Sequence, residues 1–404
     1  RAPIVLLSVL LVSIWPGAAS FGIEAPAPPE SSIPELAAIL EAARENAPDL
    51  IEQDLLQKES DQRMAQAKSA YYPKLDLITD FGYRKDFRKE GEDTDNLGLT
   101  YSANLQRPIY HWGAIEAQIE QARIDNDNNA LNYRNNVRSI ERRIRADYLH
   151  LILDNLALEN ELKRKSLLEA QSTDDQINYS AGKLSELQFR DKQLSLKSSL
   201  LRISQIKKSQ QRIAERFKLY AGWDQQVGTT ISAIPGLNLQ DTELWLTQQF
   251  ELIQGGSSWL HSNYDSEKKQ NEIRHQKEAI TRIKAKQRPL VNASASASQN
   301  QTNTSTQNNV DTFSVFAGIR VSWNIFDGYQ TRHEKIEATT KLRRIEMQLD
   351  QLSAELKLQA LEMLDHLLFE VRDLAIQESM FESETTQLSN KEADAREGRI
   401  SAQE

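Results

Sequence analysis

One spacing governs this chain. Pro73 and Pro289 lie 216 positions apart. So do Ile109-Tyr110 and Ile325-Phe326, Ala122 and Ala338, and Gly182-Lys183-Leu184-Ser185 and Gly398-Arg399-Ile400-Ser401. Four anchors that keep one offset without a gap mark an internal repeat, and a repeat restricts the fold to architectures that treat both copies alike. The copies read as residues 33–248 and 249–404. The second stops just past its glycine anchor, so the C-terminus is expected to be truncated. The missing initial Met suggests the same for the N-terminus.

Each copy holds long helical stretches. Ile119, Ala122, Asn126, Tyr133, Val137, Ile140 and Ile144 step by threes, fours and sevens, as do Leu342, Ile345, Leu349, Leu352, Leu356 and Met363. Those are heptad-type seams with charged flanks. A helix over 113–181 would be on the order of 100 Å long at 1.5 Å per residue. Gly182 then permits a reversal. A return helix is expected over 184–221 and an irregular segment over 222–248, where Gly222-Trp223 and Pro235-Gly236 interrupt the pattern. The second copy repeats this with helices over 259–287 and 328–397. A further helix opens the first copy.

Four segments instead alternate with period two: 71–84, 97–110, 289–299 and 312–326. In the first, Leu75, Leu77, Phe81 and Tyr83 oppose Lys74, Asp76, Asp80 and Arg84. In the last, Phe313, Val315, Ile319, Val321, Trp323 and Ile325 oppose Ser314, Arg320, Ser322 and Asn324. The residues alone leave two readings open. One is a sheet with one face on a core and one in water. The other is a membrane β-barrel with lipid outside and water inside. A length of about ten residues and aromatic ends at Tyr71, Phe81, Tyr83, Phe313 and Trp323 suit the barrel. Four strands cannot close alone, and lipid tolerates no open edge, so a barrel would require several chains. On that reading Asp76, Asp80, Asn104 and Arg320 fall on the lumen side by phase.

Composition agrees with thin walls around water: 39% of residues are apolar and 26% charged, below the apolar share of an ordinary globule. A net charge of −9 with no basic stripe excludes nucleic acid as a partner. The absence of cysteine excludes disulfides and a thiol nucleophile. The six histidines show no metal-ligand spacing and no phosphate loop is present, so neither an enzyme nor a cofactor is expected. Residues 1–20 read as a secretory signal, with a basic start, an apolar run from Pro3 to Trp15 and small residues at Ala18-Ala19-Ser20. A Pro-rich linker follows over 21–32. A non-membrane periplasmic adaptor or scaffold would explain the heptads but not the two amphipathic hairpins.

The ordered set of motifs resembles the TolC-like outer-membrane efflux protein family. "PIYHWGAIEAQIEQA" and "NIFDGYQTRHEKIEA" look like that family's Phe-Asp-Gly-Gly strand-to-helix signature. "NYSAGKLSELQ" and "DAREGRISAQE" look like its helix-turn motif, and "NAPDLIEQDLLQKESDQRMAQAKSAYYPKLDL" like its opening helix and proline-started strand. The resemblance spans Ile33 to Glu404. His111-Trp112 stands where the family has Asp-Gly, Tyr329 replaces the second Gly of the other seam, and Asn263-Tyr264 replaces Asn-Pro. These departures are expected to alter local turns but not the architecture.

The resemblance implies an α+β protein with membrane β-barrel hairpins joined to α-helical coiled coils. It implies a homotrimer in the outer membrane of a Gram-negative bacterium, with a twelve-stranded barrel continued by a periplasmic helical tunnel. Such a chain is a passive exit duct working with a periplasmic adaptor and an inner-membrane transporter, in drug efflux or type I secretion. The seams would be Pro108, Tyr110, Trp112 and Gly113, and Trp323, Phe326, Asp327 and Gly328, with Asp327 capping the incoming helix. Gly182, Lys183, Leu184, Ser185, Gly398, Arg399, Ile400 and Ser401 would form adaptor-docking turns. Glu404 and Asp191, a short way beyond those glycines, are the candidates for the periplasmic gate.

Overall fold

The computed structural model describes residues 27–86, 94–225, 238–256, 258–304 and 307–396. Residues 1–26 and 397–404, which include the expected signal, Gly398, Arg399, Ile400, Ser401 and Glu404, lie outside these. In chain order the elements are α1 (Pro34–Asn46), α2 (Pro48–Lys68), β1 (Lys74–Asp86), β2 (Thr94–Tyr110), α3 (Ala114–Ser180), α4 (Glu186–Ala221), α5 (Leu239–Gly255), α6 (Tyr264–Ala285), β3 (Leu290–Thr304), β4 (Gln307–Ser322) and α7 (Gln330–Arg396). The order helix, two strands, helix of 67 residues occurs twice. Among the described residues no helix is long and apolar enough to cross a membrane.

Contacts divide the chain into two compact units. One holds the chain up to Asp54, Asn132–Asn263 and the part from Ser353; the other holds Leu55–Leu131 and Tyr264–Leu352. In the first unit, α1 supplies the core. Pro34 at its first position presets the helical φ, and Leu36, Ile39, Leu40 and Ala43 form one apolar stripe. That stripe is buried with Ile140, Ile144 and Tyr148 of α3 and Ile213 and Phe217 of α4. Each such aliphatic side chain contributes about 1.5–3 kcal/mol on burial. The opening helix is not continuous. Ala47 precedes Pro48, takes extended backbone (ψ 121°) and separates α1 from α2. The expected irregular segment 222–248 is also only partly irregular. Asn238 caps α5 by accepting from the amides of Gln240 and Asp241, and Trp245, Leu246 and Ile253 pack on Leu364, Leu367 and Val371 of α7.

The second unit holds one four-stranded antiparallel sheet in the order β1-β2-β3-β4. Its strands run 13–17 residues, longer than the ten or so read from alternation. The ladder continues beneath Asn, Gln and Thr side chains, which break the apolar pattern but not the backbone pairing. At its other end β4 stops at Ser322, not at residue 326. Its last partner is Leu290, and Pro289 before it has no N–H to offer. Trp323, Ile325 and Phe326 therefore lie outside the sheet.

The register aligns the strands face to face. Leu77 sits beside Ala103, Ala103 beside Ala297 and Ala297 beside Val315; Asp76 sits beside Asn104, Asn104 beside Ser296. Side chains of paired residues share a face. One face is therefore Leu75, Leu77, Phe81, Leu105, Val315, Ile319 and Val321, and the other is mainly polar. The apolar face is not covered: Leu77 is 76% exposed and Phe81 71%. β1 and β4 each pair on one side only.

Candidate functional site

The two seams, both in the second unit, share a backbone device. Trp112 and Gly113 have φ of 55° and 79°, and Gly328 and Tyr329 both have φ of 66°. Each strand thus enters its helix through two consecutive left-handed residues, one glycine and one not. The substitutions relative to the family signature leave the turn as it is. Trp112 and Tyr329 take a conformation that costs an L-residue about 1–2 kcal/mol. This corrects the expectation that those departures alter local turns.

Aromatic contacts hold both turns. Tyr110 meets Trp112 edge-on at 4.8 Å, and Phe326 meets Tyr329 at 5.4 Å. The two indoles then grip one short connection between α6 and β3: Trp112 Nε1 donates to the Pro289 carbonyl at 2.8 Å and Trp323 Nε1 to the Gln287 carbonyl at 3.1 Å. The Arg288 guanidinium lies over the Trp112 ring at 4.7 Å. His111 Nε2 lies 2.8 Å from Oδ1 of the buried Asn292. Sequence reading did not single out Gln287, Arg288, Pro289 or Asn292. Their only signal is position, next to the Pro289 anchor.

Asp327 caps α7. Its Oδ2 accepts from the Thr331 amide at 2.9 Å and from the Thr331 hydroxyl. Both bonds favour the charged form, and with the hydroxyl bond foremost they hold this carboxyl below its ordinary range. The first seam has a different device. Pro108 opposes Asn292 and Tyr110 opposes Val291, so Ile109 is a bulge residue. Pro108 removes a ladder donor there, and the extra residue moves Tyr110 from the polar face, where strict alternation would put it, to the apolar one.

The lumen candidates Asp76, Asp80, Asn104 and Arg320 share the polar face. Asp76 and Asn104 are direct partners, Asp80 opposes Thr100, and Arg320 opposes Asn292. Across this face run amides and hydroxyls, with Ile78 and Phe316 as the large apolar exceptions.

The turn at Gly182, in the first unit, is closed by its own backbone. Gly182 has φ 73°, its amide donates to the Tyr179 carbonyl at 3.0 Å, and the Lys183 amide donates to Asn178 at 2.8 Å. This is a Schellman ending. Ser185 then starts α4 with a capping box to Gln188. Lys183 and Ser185 are exposed and Leu184 half-buried. Tyr179 stacks on Phe189 at 4.7 Å across the turn. Asp191 is exposed on α4. The acidic residue that the fold engages here is Asp175, buried and paired with Lys192.

A family model described as "Outer membrane efflux protein" matches residues 39–222, from α1 to the end of α4. The chain belongs to the outer membrane efflux protein family. Solved structures similar to it include the outer-membrane channel OprN (13% identity, TM-score 0.68, covering 96% of this chain and 90% of that one) and the Campylobacter jejuni CmeC outer membrane channel (12%, 0.69, 98% and 84%). The outer membrane protein VceC from Vibrio cholerae is similar too (14%, 0.64, 92% and 88%). At such identities the likeness is one of fold. No curated protein matches the chain significantly in sequence. Among the described residues no cluster of His, Asp and Glu could hold a metal ion. The seam residues and the Gly182 turn thus belong to an efflux-family chain whose described side chains offer no metal centre, and its working parts are surfaces.

Proposed function

We propose that three copies of this chain form an exit duct through the outer membrane. The observation that carries this reading is the sheet. It has one apolar face in solvent, one polar face and two free edges. Water would be displaced from the apolar face by lipid, and lipid forbids the free edges. Joining β4 of one copy to β1 of the next satisfies both conditions, and three sheets give twelve strands around a polar bore. The helices of the three copies then line a periplasmic tunnel. Family membership supports this arrangement, as does the 216-residue repeat.

The duct works with a periplasmic adaptor and an inner-membrane transporter, in small-molecule efflux or type I secretion. Energy comes from the transporter. The turns at Gly182 and Gly398 are the adaptor-docking points, Asp191 and Glu404 narrow the tunnel mouth, and Asp76, Asp80, Asn104 and Arg320 wet the bore.

Because the chain has no cysteine, edge pairing can be read directly. Leu77→Cys on β1 is combined in turn with cysteine at Val315, Ala317 and Ile319 on β4. Oxidation should link three chains in at least one combination, in outer-membrane extracts that migrate differently before and after heating. A monomer in every combination, recovered in the periplasmic wash, would instead identify a soluble scaffold.

A further inference from the structure

An efflux duct of an acidic chain invites cations, yet one groove is lined by the opposite charge. In the second unit, α2, α3 and α6 converge below the start of β1 on a cavity of about 570 Å³. Arg63 of α2, Lys74 of β1 and Arg282 of α6 line it, against one carboxylate, Asp125 of α3. The lining positions recur at helical spacing: 63 and 67 on α2, 118, 121, 122 and 125 on α3, 275 and 282 on α6. Ala67 and Ala122 keep the floor low. The site is partly built before any ligand arrives. Gln121 is buried; its Oε1 accepts from Arg282 Nη1 at 2.7 Å and its Nε2 donates to the His275 carbonyl at 3.2 Å. His275 Nε2 lies 3.9 Å from Asp125 Oδ1, which leaves that carboxylate beside a group that becomes cationic on protonation. Arg63 is paired with Glu59 within α2. The Lys74 ammonium has no hydrogen-bond or ion-pair partner among the described residues.

Lys74 also fixes which side the groove opens on. It pairs with Gln106 and shares its face with Asp76 and Asn104, the polar face of the sheet. We infer that this groove is an anion subsite on the bore side of the duct. It takes small solutes carrying phosphate or another multiply charged oxyanion, held by Lys74, Arg63 and Arg282 with side-chain amides as neutral donors. This rests on the duct reading for its placement but not for its chemistry.

The test uses the full chain in phosphatidylcholine nanodiscs with inorganic pyrophosphate as probe. Binding is followed by ³¹P line broadening. Losing one charged donor to an anion weakens binding about tenfold, so Lys74→Gln should do so, and adding Arg63→Gln should weaken it further. Asp125→Asn should tighten binding roughly threefold, since it removes the one repulsive lining charge. Neither Lys74 nor Asp125 is held by a core contact, so the pair keeps the test valid where Arg282→Gln, which breaks the Gln121 bond, fails to fold. Unchanged binding in Lys74→Gln, or weaker binding in Asp125→Asn, overturns the subsite.

Single-channel recordings supply the placement. Block by pyrophosphate that follows the same order of variants supports the bore side. A chain that conducts but neither binds nor is blocked loses the subsite and keeps the duct. A chain that binds but passes no current loses the duct, and the bore placement with it. If phosphatidylglycerol in the nanodisc abolishes pyrophosphate binding, the groove holds a lipid headgroup and the solute proposal fails.

Discussion

Replacing the two strained seam residues by glycine should have opposite value at the two seams. Tyr329 and Trp112 both sit in the left-handed region, and glycine relieves about 1–2 kcal/mol there. Glycine also costs about 0.5–1 kcal/mol through the freedom it adds to the unfolded chain. At Tyr329 the only printed tertiary loss is the edge contact with Phe326, worth about 0.5 kcal/mol for a ring this exposed. Tyr329→Gly is therefore expected to leave stability within about 0.5 kcal/mol of the parent. At Trp112 more is lost: the indole bond to Pro289 at about 1 kcal/mol, the Arg288 contact at about 0.5–1 kcal/mol, and the Tyr110 contact at about 1 kcal/mol. Trp112→Gly should destabilise by about 2 kcal/mol, net of the strain relieved. The assay is guanidinium unfolding of detergent-folded protein, followed by far-UV circular dichroism so that removing a tryptophan does not alter the probe. Equal losses for the two variants, or a loss above about 1.5 kcal/mol for Tyr329→Gly, would refute the assignment of strain to these positions.

Other substitutions separate backbone from packing effects. A Cβ on Gly328 meets nothing within 4 Å, so Gly328→Val should hinder assembly through backbone strain alone, by about 1–2 kcal/mol, with Gly328→Asn recovering part of the trimer yield. Gly222→Ala adds a clash to the same strain, because the new Cβ would lie 2.7 Å from Asn46 Cβ; a loss of about 3 kcal/mol is expected in the same unfolding assay. Asp327 has a depressed folded pKa, so its contribution is present above the unfolded value and lost as pH falls through the folded one. Asp327→Asn should flatten the acid limb of a stability–pH curve below about pH 4 and leave pH 7 slopes alone. Glu404→Gln should weaken divalent-cation block of single channels; unchanged block would remove Glu404 from the gate.

The period-two strands were legible because their apolar face has no protein cover, so selection acts on every second residue. Their ends were not, since Asn300 to Thr304 and Gln307 to Asp311 pair through backbone alone. The end of β4 misled in the other direction: Trp323 and Ile325 keep the alternation after Pro289 has ended the ladder. The helix α5 hid between Pro235-Gly236 and Gly255-Gly256, where breakers suggested irregularity across the whole segment. The Ala47-Pro48 break was visible as a dipeptide but is decided by the burial of α1. At the seams, glycine marked only half of each turn. The offset of 216 carries the other half: it sets Trp112 against Gly328 and Gly113 against Tyr329, so each copy's glycine reports the left-handed φ of its partner's aromatic.

The free edges of β1 and β4 also turn folding into a question of numbers. A chain that arrives alone has nowhere to bury the Leu77–Phe81 face and no strand to pair with either edge. In the proposed trimer, secondary structure can form in one chain, but closure requires three to meet. Folding and assembly are then one equilibrium, and stability rises steeply with chain concentration. Chains at low abundance should spend longest with that face unburied. Supply, as much as sequence, then decides how many ducts are built.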